Sequence, residues 1–260
     1  MSSSRIACPQ VEHPIVRVRD LTVGHAGVPL LEHLDFDVER GEVFCILGPS
    51  GCGKSTLLRH LIGLDTPMSG SIEIVGFGSP RLIPDRALPW GVLFQSSALF
   101  GSMTLLENIA IPLREWTDMP MDAIRASAMG RLALVGLTGF ENHLPSELSG
   151  GMRKRAGIAR ALALDPELLF LDEPSAGLDP LTAVELDRLL MQFATDLGVT
   201  VVVVTHDLES IFTIANRIVM LDAGAHGMIA CGTPRALRDT SKDPRVRAFL
   251  TRGRRSAPTS

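Results

Sequence analysis

The feature that most constrains this chain is a glycine-rich loop between an apolar run and a helical stretch. The loop follows residues 43–47 and precedes residues 56–62, and it matches the pattern G-x-x-x-x-G-K-[ST]. Its residues are Gly48, Pro49, Ser50, Gly51, Cys52, Gly53, Lys54 and Ser55. Glycines let successive backbone N–H groups converge on one anion. An ordinary strand–helix turn is the alternative, but Lys54 and Ser55 in register favour a loop that cradles phosphate.

The helix behind this loop strengthens the prediction, because its first N–H groups and the positive end of its dipole face the same anion. Lys54 would supply a positive charge for the β- and γ-phosphates, and Ser55 an oxygen for Mg²⁺. Thr56, in the first helical turn, completes the predicted nucleotide-binding set. The loop alone predicts a bound nucleoside triphosphate and nothing more specific.

A second chemical feature is an apolar run that ends in two carboxylates. Residues 168–171 are apolar and are followed by Asp172, Glu173 and Pro174. Adjacent strand residues point to opposite sides of a sheet, so the two acids should have different tasks. Asp172 suits a hard Mg²⁺ ion, and Glu173 can face the γ-phosphate and polarise an attacking water. An acidic pair before proline is common in turns, but downstream of a phosphate loop it becomes specific.

The hydrophobic pattern predicts the fold class. Residues 43–47, 168–171 and 199–204 form near-continuous apolar runs, as strands covered on both faces do, whereas residues 15–19 alternate like a half-buried strand. Between the runs at residues 168–171 and 199–204, apolar side chains recur on one face of a predicted helix, and Gly198 would end that helix. That face consists of Leu186, Leu189, Leu190, Phe193 and Leu197. Alternating strands and helices predict an α/β fold with a mainly parallel sheet.

The domain organisation follows from length and composition. A chain of 260 residues fits one domain, which we assign to residues 1–250. Residues from about 103 to 148 lack β-branched runs and are interrupted by Pro112, Pro120 and Pro145, which predicts a helical subdomain inserted into the α/β core. Residues 251–260 form a basic tail that we predict to be disordered. Its cations are Arg252, Arg254 and Arg255.

Charge and cysteine content limit the partners. The net charge of -4 argues against a nucleic-acid partner. The basic run of residues 153–155 is either a solvated helix face or a contact for an acidic partner. Cys8, Cys45, Cys52 and Cys231 have no C-x-x-C spacing, which fits free thiols in a reducing compartment better than disulfides. The longest apolar runs are too short to cross a bilayer, so a membrane role would need a partner.

A third motif places the chain in a family by resemblance. Residues 148–152 read Leu-Ser-Gly-Gly-Met and resemble the L-S-G-G-Q signature of the ABC transporter ATP-binding subunits. They lie between the phosphate loop and the acidic strand, in family order. Gln95 resembles the Q-loop glutamine, residues 175–179 the D-loop, and His206 the switch histidine. The resemblance runs from about residue 15 to residue 250, and it implies a P-loop NTPase core with an N-terminal antiparallel β portion.

The resemblance implies a head-to-tail homodimer that holds two ATP molecules with Mg²⁺. Each ATP would lie on one phosphate loop and meet the signature residues Ser149, Gly150 and Gly151 of the other subunit. Hydrolysis would then separate the subunits and drive a membrane permease. The resemblance implies that Glu173 is the general base and that His206 contacts the γ-phosphate. Gln95 would link Mg²⁺ or the water to the permease, and Asp179 would take part in nucleotide binding.

Two positions depart from the family pattern. The family stacks an aromatic residue, often Tyr, on adenine, but this chain has no Tyr, and His25 occupies the matching place. An imidazole can stack on a base, and the alternative for His25 is a plain turn residue. Met152 replaces the last signature residue and removes an amide, which leaves Ser149 and the two glycines intact.

A narrower resemblance links the chain to the ATPases of MCE-associated lipid transporters, which include the Mla and toluene-tolerance ATPases. Three stretches carry it: residues 93–108 followed by 112–115, residues 148–156, and residues 243–250. It implies phospholipid transport between bacterial membranes with an MCE-type partner, from the cytoplasmic face of the inner membrane. Another cargo (a solvent, drug or small solute) is the alternative. A soluble ABC protein without a permease is a further one, although such proteins usually carry two fused ATPase domains or a long coiled coil.

The sequence also suggests where a permease would bind. An apolar cluster follows Gln95 and consists of Ala98, Leu99, Phe100 and Met103. At the surface it would form a groove for a short permease helix, whereas in the interior it would be core of the helical subdomain. For Leu99 both alternatives stay open, and for Phe100 we favour the groove.

Overall fold

The N-terminal part of the protein forms a three-stranded antiparallel sheet. The computed structural model describes residues 6, 8–9, 11–80 and 87–251. Strands β1 (Pro14–His25), β2 (Val28–Glu39) and β4 (Ser69–Ile74) pair in the order β2-β1-β4. Val16 and Val18 of β1 are buried and Arg17 between them is not. The alternation predicted for residues 15–19 holds from Val16 to Arg19, whereas Ile15 is buried beside Val16. The antiparallel β portion is confirmed.

A second, six-stranded sheet forms the centre of the molecule. Its strands run in the order β5-β6-β7-β3-β8-β9; the first five are parallel, and β9 pairs with β8 in antiparallel fashion. They are β3 (Val43–Leu47), β5 (Trp90–Leu93), β6 (Leu168–Asp172), β7 (Thr200–Val204), β8 (Arg217–Asp222) and β9 (Gly227–Gly232). Every residue of β3 and of β7 is buried. The predicted mainly parallel sheet is therefore confirmed.

The central sheet separates two apolar cores, and alternate residues of its strands point into alternate cores. Cys45, Leu169 and Val201 belong to one core, whereas their neighbours Phe44 and Phe170 belong to the other. The second core also holds the apolar side of the antiparallel sheet. Since both faces of the sheet are covered, polar chemistry has access mainly at the carboxyl ends of the strands.

Helix α1 (Lys54–Leu61) packs into the second core, and the other helices cover the first. These others are α2 (Leu105–Trp116), α3 (Met121–Leu134), α4 (Gly150–Ala161), α5 (Pro180–Asp196), α6 (Leu208–Ile214), α7 (Pro234–Thr240) and α8 (Pro244–Thr251). The face predicted for α5 is confirmed at Leu186, Leu190 and Phe193, which are buried. Leu197 is the exception at 51% exposed. It follows the last helical residue, where the helical period no longer directs a side chain inward.

The prolines of residues 103–148 act differently from one another. Pro112 lies inside α2 and does not interrupt it, which corrects the sequence prediction. Pro120 directly precedes α3, and Pro145 begins a short 3₁₀ helix at Pro145–Glu147. Buried leucines of α2 and α3 share one core with residues of the central sheet. The helical subdomain as a separate unit therefore stays a prediction.

The cysteines behave differently from the sequence expectation. Cys8 and Cys231 form a disulfide that ties the segment before β1 to strand β9, whereas Cys45 and Cys52 are buried thiols. The expectation of free thiols at all of these positions is thus wrong for one pair. The two partners are 223 residues apart, so only the folded chain brings them together, and no spacing in the sequence could reveal the bond.

Two further expectations concern the membrane and the C-terminus. No helix in the described part of the chain is long and apolar enough to span a bilayer. The predicted basic tail carries three arginines, and these lie outside the described residues: Arg252, Arg254 and Arg255.

Candidate functional site

A cavity of about 780 Å³ opens at the carboxyl edge of the central sheet. The loops after β3, β5, β6 and β7 converge on it, as expected where parallel strands end. Its lining residues are Leu30, Gly48, Pro49, Ser50, Gly51, Gly53, Lys54, Ser55, Thr56, Gln95, Glu173, His206, Leu208 and Phe249. The fold therefore brings most of the predicted phosphate loop, Gln95, Glu173 and His206 to one place. Leu30 and Phe249 are lining residues that the sequence motifs did not indicate.

The phosphate loop has the backbone shape that its sequence predicts. Gly53 adopts φ 101°, and a Cβ atom there would lie only 3.0 Å from side-chain atoms of Leu30 and Leu31, so glycine is required. The Nζ of Lys54 donates to the carbonyls of Gly48 at 2.9 Å and Pro49 at 3.0 Å, which holds the ammonium over the loop. Cys52 is fully buried, so only its backbone can face a ligand.

Two oxygen donors meet beside the loop. The hydroxyl of Ser55, on α1, lies 3.4 Å from Oδ1 of Asp172, the last residue of β6. Burial raises the pKa of Asp172, and the charge of Glu173 raises it further, while the Ser55 hydrogen bond opposes them. A divalent cation held here would relieve both effects, and the hydroxyl and carboxylate oxygens fit Mg²⁺.

The composition of this pair also limits what the protein can contribute to a metal site. Among residues 6, 8–9, 11–80 and 87–251 there is no group of three His, Cys, Asp or Glu side chains placed to hold a metal ion. A cation at Ser55 and Asp172 would therefore take its other ligands from phosphate and water, as Mg²⁺ commonly does.

Glu173 and His206 form a second polar pair at the cavity. Nδ1 of His206 lies 2.8 Å from Oε1 of Glu173. Glu173 has φ 47°, a left-handed conformation that costs a non-glycine residue about 1–3 kcal/mol. Its N–H donates to the Val204 carbonyl at 2.8 Å, which anchors this conformation to β7. Its side chain consequently leaves the strand direction and reaches the cavity wall.

The three cations of the basic run at residues 153–155 have different surroundings. Lys154 is only 6% exposed, and its Nζ donates to the carbonyls of Gln95 at 2.6 Å and Glu173 at 3.0 Å. Arg153 donates to the Leu148 carbonyl, and Arg155 pairs with Glu185 of α5. Neither a solvated face nor an external acidic partner describes Lys154. The available signal was its position, one turn from the buried Ile158 on the apolar face of α4.

The signature residues lie elsewhere. Ser149 caps α4 and accepts a hydrogen bond from the Met152 N–H at 3.3 Å, with Gly150 and Gly151 forming the first turn. None of the three lines the cavity. Neither does His25, at the exposed end of β1, nor Asp179, which caps α5 by accepting from the Thr182 N–H at 3.0 Å. The chain thus assembles only part of the predicted site.

A glycine-rich loop that opens a helix, with a lysine over it and an acidic strand end beside it, defines the class of P-loop nucleoside-triphosphatases. The sequence pattern of the ABC transporter family matches residues 31–176 of this chain. The chain belongs to the ABC transporter family. It is an ATP-binding subunit with ATPase activity, and ATPases of this kind dimerise and work with membrane permeases.

Relatives extend beyond this central match. The chain is 43% identical over 248 residues to the "Probable ribonucleotide transport ATP-binding protein mkl" of Mycobacterium leprae, covering 94% of this chain and 70% of the relative. It is 40% identical over 240 residues to the "Intermembrane phospholipid transport system ATP-binding protein MlaF" of Escherichia coli K12, covering 91% and 88%.

Among solved structures, the chain resembles an ATP-binding cassette solved as a dimer in a post-hydrolysis state with ADP and Pi. The TM-score is 0.74 at 31% identity, covering 84% of this chain and 98% of that one. It also resembles cbiO1 from Clostridium perfringens, part of the ABC transporter complex cbiONQ, with a TM-score of 0.78 at 28% identity, covering 88% and 92%. Both likenesses agree with the mixed sheet and the helices described above.

Proposed function

We propose that this chain powers phospholipid transport between bacterial membranes, as the ATPase of a transporter with an MCE-type partner. The observation that carries the proposal is the 40% identity to the phospholipid transport protein MlaF over 88% of its length. The convergence of the phosphate loop, Glu173 and His206 in one cavity supports the ATPase part. Relatives named for ribonucleotide transport and for sulfate or thiosulfate import have similar identity, so a different cargo is the alternative.

The cavity residues suggest a division of labour in hydrolysis. Lys54 would release its loop carbonyls and neutralise the β- and γ-phosphates. Ser55 and Asp172 would hold Mg²⁺, which supplies positive charge to the phosphate oxygens. The Glu173 carboxylate would accept the proton of the attacking water. His206, already 2.8 Å from Glu173, would orient that carboxylate and contact the γ-phosphate, and Gln95 would sense the water or the metal from the permease side.

The remaining half of the nucleotide site would come from a second copy of the chain. Ser149, Gly150 and Gly151 begin α4 outside the cavity, with the N-terminal N–H groups of the helix available to an anion. Closure of a homodimer would bring them onto the γ-phosphate of the partner's ATP. The dimeric relative with ADP and Pi supports this arrangement. We assign Asp179 to the same interface and His25 to the adenine, beyond Leu30.

A permease can dock beside the site, at the cytoplasmic face of the inner membrane. An apolar groove of about 370 Å³ follows β5 and is lined by side chains that include Leu64, Leu88, Trp90, Phe94 and Trp116. Near Gln95, Phe100 is 53% exposed. Leu99 is partly buried and packs against the core, which favours the core alternative for this residue.

The loop that carries Phe100 is fixed by hydrogen bonds to one buried side chain. Asn108 is fully buried, and it accepts from the Phe100 N–H at 2.8 Å while donating to the carbonyls of Phe100 and Met103 at 3.1 Å. An exposed aromatic ring on a fixed loop is a suitable anchor for a partner helix. This supports the docking region predicted at residues 95–103 and adds the groove at Trp116 to it.

The chemical assignment is tested by Glu173→Gln. The amide keeps the shape of the carboxylate but cannot take a proton, so turnover should fall about 10²–10⁴-fold while ATP still binds. Glu185→Gln on α5 is the matched control, since Glu185 pairs with Arg155 outside the cavity. ATP titration and phosphate release are measured on both variants. Turnover of Glu173→Gln close to the native rate would show that another group is the base.

The cargo is tested separately. The tagged Glu173→Gln chain is purified from native membranes with ATP present, and its companions are identified by mass spectrometry of proteins and lipids. A permease, an MCE-type protein and phospholipid are expected together. A permease of another type would overturn the lipid assignment and leave the ATPase. Recovery only from the soluble fraction would also remove the transport role.

A further inference from the structure

One buried ammonium joins the two parts of the site that must act together. Lys154 lies on α4, and its Nζ contacts the Gln95 carbonyl at 2.6 Å and the Glu173 carbonyl at 3.0 Å. Gln95 follows β5, and Glu173 follows β6. These strands are neighbours in the sheet, and the two residues follow their carboxyl ends. Lys154 joins the two segments there.

The position of this lysine is expensive for stability alone. Lys154 is 6% exposed, and its hydrogen bonds to Gln95 and Glu173 both go to neutral carbonyls. Burial lowers the pKa of Lys154, while the charges of Asp172 and Glu173 partly oppose that shift. Burying an ammonium is unfavourable unless hydrogen bonds and charges compensate it. An apolar side chain of similar volume would fill the space at lower cost, so the charge and its donors indicate a further task.

The backbone that Lys154 holds is strained at both ends. Glu173 has φ 47°, and Ser97 and Ala98, just past Gln95, have φ 62° and 47°. Non-glycine residues keep such conformations only where the surroundings fix them. Arg160, on the same face of α4, donates to the carbonyls of Ala98 at 2.8 Å and Ser97 at 3.1 Å. Two cations of one helix therefore fix the segment after β5.

A glycine lets α4 approach closely enough for this contact. Gly157 lies between the two cations, and a Cβ atom there would be 2.6 Å from Cδ1 of Leu93 and 3.3 Å from Cβ of Ser97. Residues spaced by three share one helix face. The three positions thus form one surface, on which Gly157 sets the distance, Arg160 holds the loop, and Lys154 reaches both Gln95 and Glu173.

We propose that Lys154 is a positioning residue that fixes the Q-loop at Gln95 relative to the catalytic carboxylate of Glu173. A displacement of Gln95 by the permease would then move the Glu173 backbone, and closure around ATP would move Gln95. The inference rests on the proposed roles of Gln95 and Glu173. Its chemistry is hydrogen bonding alone, and Lys154 does not touch the nucleotide.

The test compares three variants in ATP binding and turnover. Lys154→Met removes the donors, Lys154→Arg keeps a cation with several donors, and Arg155→Met removes the neighbouring cation, which pairs with Glu185. Lys154→Met should lower kcat about 10–100-fold, because small misplacements of catalytic groups have effects of that size. Its affinity for ATP should stay within about twofold, since the phosphate loop is intact. Lys154→Arg should restore most of the rate, and Arg155→Met should keep it.

Hydrogen exchange provides a readout that does not depend on activity. Peptides that cover residues 94–98 and 173–177 should exchange faster together in Lys154→Met, and neither should change in Arg155→Met. Native kcat in Lys154→Met, or exchange unchanged in both peptides, would overturn the proposal. An equal loss of ATP affinity and rate would reduce Lys154 to a structural role and overturn it as well.

If Lys154→Met does not fold, Lys154→Gln decides the question. Its amide is too short to reach both carbonyls, so kcat should fall at unchanged ATP affinity, while Lys154→Arg stays active. Equal activity of these two variants would contradict the bridge. The assignment of Glu173 as the base, on which this inference rests, fails by a different result, which is full turnover of Glu173→Gln. In that case the exchange data would still report whether Lys154 joins the two segments.

Discussion

Two helices of this protein begin at glycine-containing turns, yet their surroundings differ. Helix α1 begins at Lys54, and its first turn lines a cavity together with Gln95, Glu173 and His206. Helix α4 begins at Gly150 behind the Ser149 cap, and its first turn does not line that cavity. Both helix ends can attract an anion through unpaired N–H groups. Only the first is surrounded by groups that can act on one.

The proposed head-to-tail dimer accounts for this contrast. The α1 end would bind a nucleotide within one chain, whereas the α4 end would meet a phosphate only when another chain delivers it. Loss of the α1 end should therefore abolish binding, and loss of the α4 end should abolish closure but not binding. The first two predictions test this difference.

Lys54→Met should have the largest effect. It removes a charge-assisted contact to phosphate, worth about 1.5–3 kcal/mol, so ATP should bind roughly 10–150-fold more weakly. Lys242→Met, which removes an exposed cation after α7, is the control. Titration calorimetry on the isolated chain measures both. Unchanged affinity in Lys54→Met would place the nucleotide elsewhere.

Gly150→Glu should leave ATP binding intact and prevent dimer closure. A Cβ atom at this position meets only Leu178, at an ordinary 3.5 Å, and an acidic residue in a first turn stabilises a helix. The new carboxylate would nevertheless repel the γ-phosphate, and turnover should fall about tenfold or more. The ATP-dependent dimer of the Glu173→Gln background, followed by light scattering, should disappear, while Gly150→Ala should retain it. A stable dimer in the glutamate variant would contradict the head-to-tail arrangement.

Phe100→Ala should separate partner binding from chemistry. The ring is 53% exposed, so the free energy of unfolding should change by less than about 0.5 kcal/mol, and the ATPase rate of the isolated chain should not change. Retention by the permease should fall about tenfold or more, as for a central anchor residue. Leu197→Ala is the control, since Leu197 is also exposed but precedes β7, at the amino ends of the strands, whereas Phe100 follows β5. Equal loss in both variants would remove the docking assignment.

The smallest effect concerns stability and pH. Asp187 of α5 is 5% exposed, and burial raises its pKa to about 6, with Asp207 adding to the shift and the Ser210 hydrogen bond opposing it. The folded state therefore holds this proton more tightly than the unfolded state. Its stabilising contribution is complete below about pH 4 and is lost as the pH rises to about 6.

Asp187→Asn removes that loss. The free energy of unfolding of this variant, minus that of the native chain, should rise by about 1–3 kcal/mol between pH 4.5 and pH 7.5. One pKa unit corresponds to about 1.4 kcal/mol. Urea unfolding at the two pH values measures it, with Asp196→Asn on the exposed side of α5 as control. A difference that does not depend on pH would show that burial of Asp187 does not govern its protonation.

Much of the fold and part of the site could be predicted from the sequence. The apolar runs became buried strands, and the loop before Lys54 became a turn into a helix, because both depend on neighbouring residues. The burial of Lys154 was not predicted. A basic run by itself has the same local pattern whether its cations face solvent or the interior, and only the spacing of one helical turn from Ile158 indicated the apolar face of α4. The Cys8–Cys231 bond was missed because its partners are far apart in the sequence, and the exposure of Leu197 was missed because α5 ends before it.

The sequence by itself determined the local elements of chemistry: the glycine conformations of the phosphate loop, the acids at the end of β6, and the Ser149 cap of α4. Their geometry follows from backbone dihedral angles and hydrogen bonds within a few residues. Only the tertiary structure decided which of these elements meet. Packing on the two faces of the central sheet puts Ser55 beside Asp172, joins Gln95 to Glu173 through Lys154, and keeps Ser149 away from the cavity, because contacts between distant residues depend on the whole core.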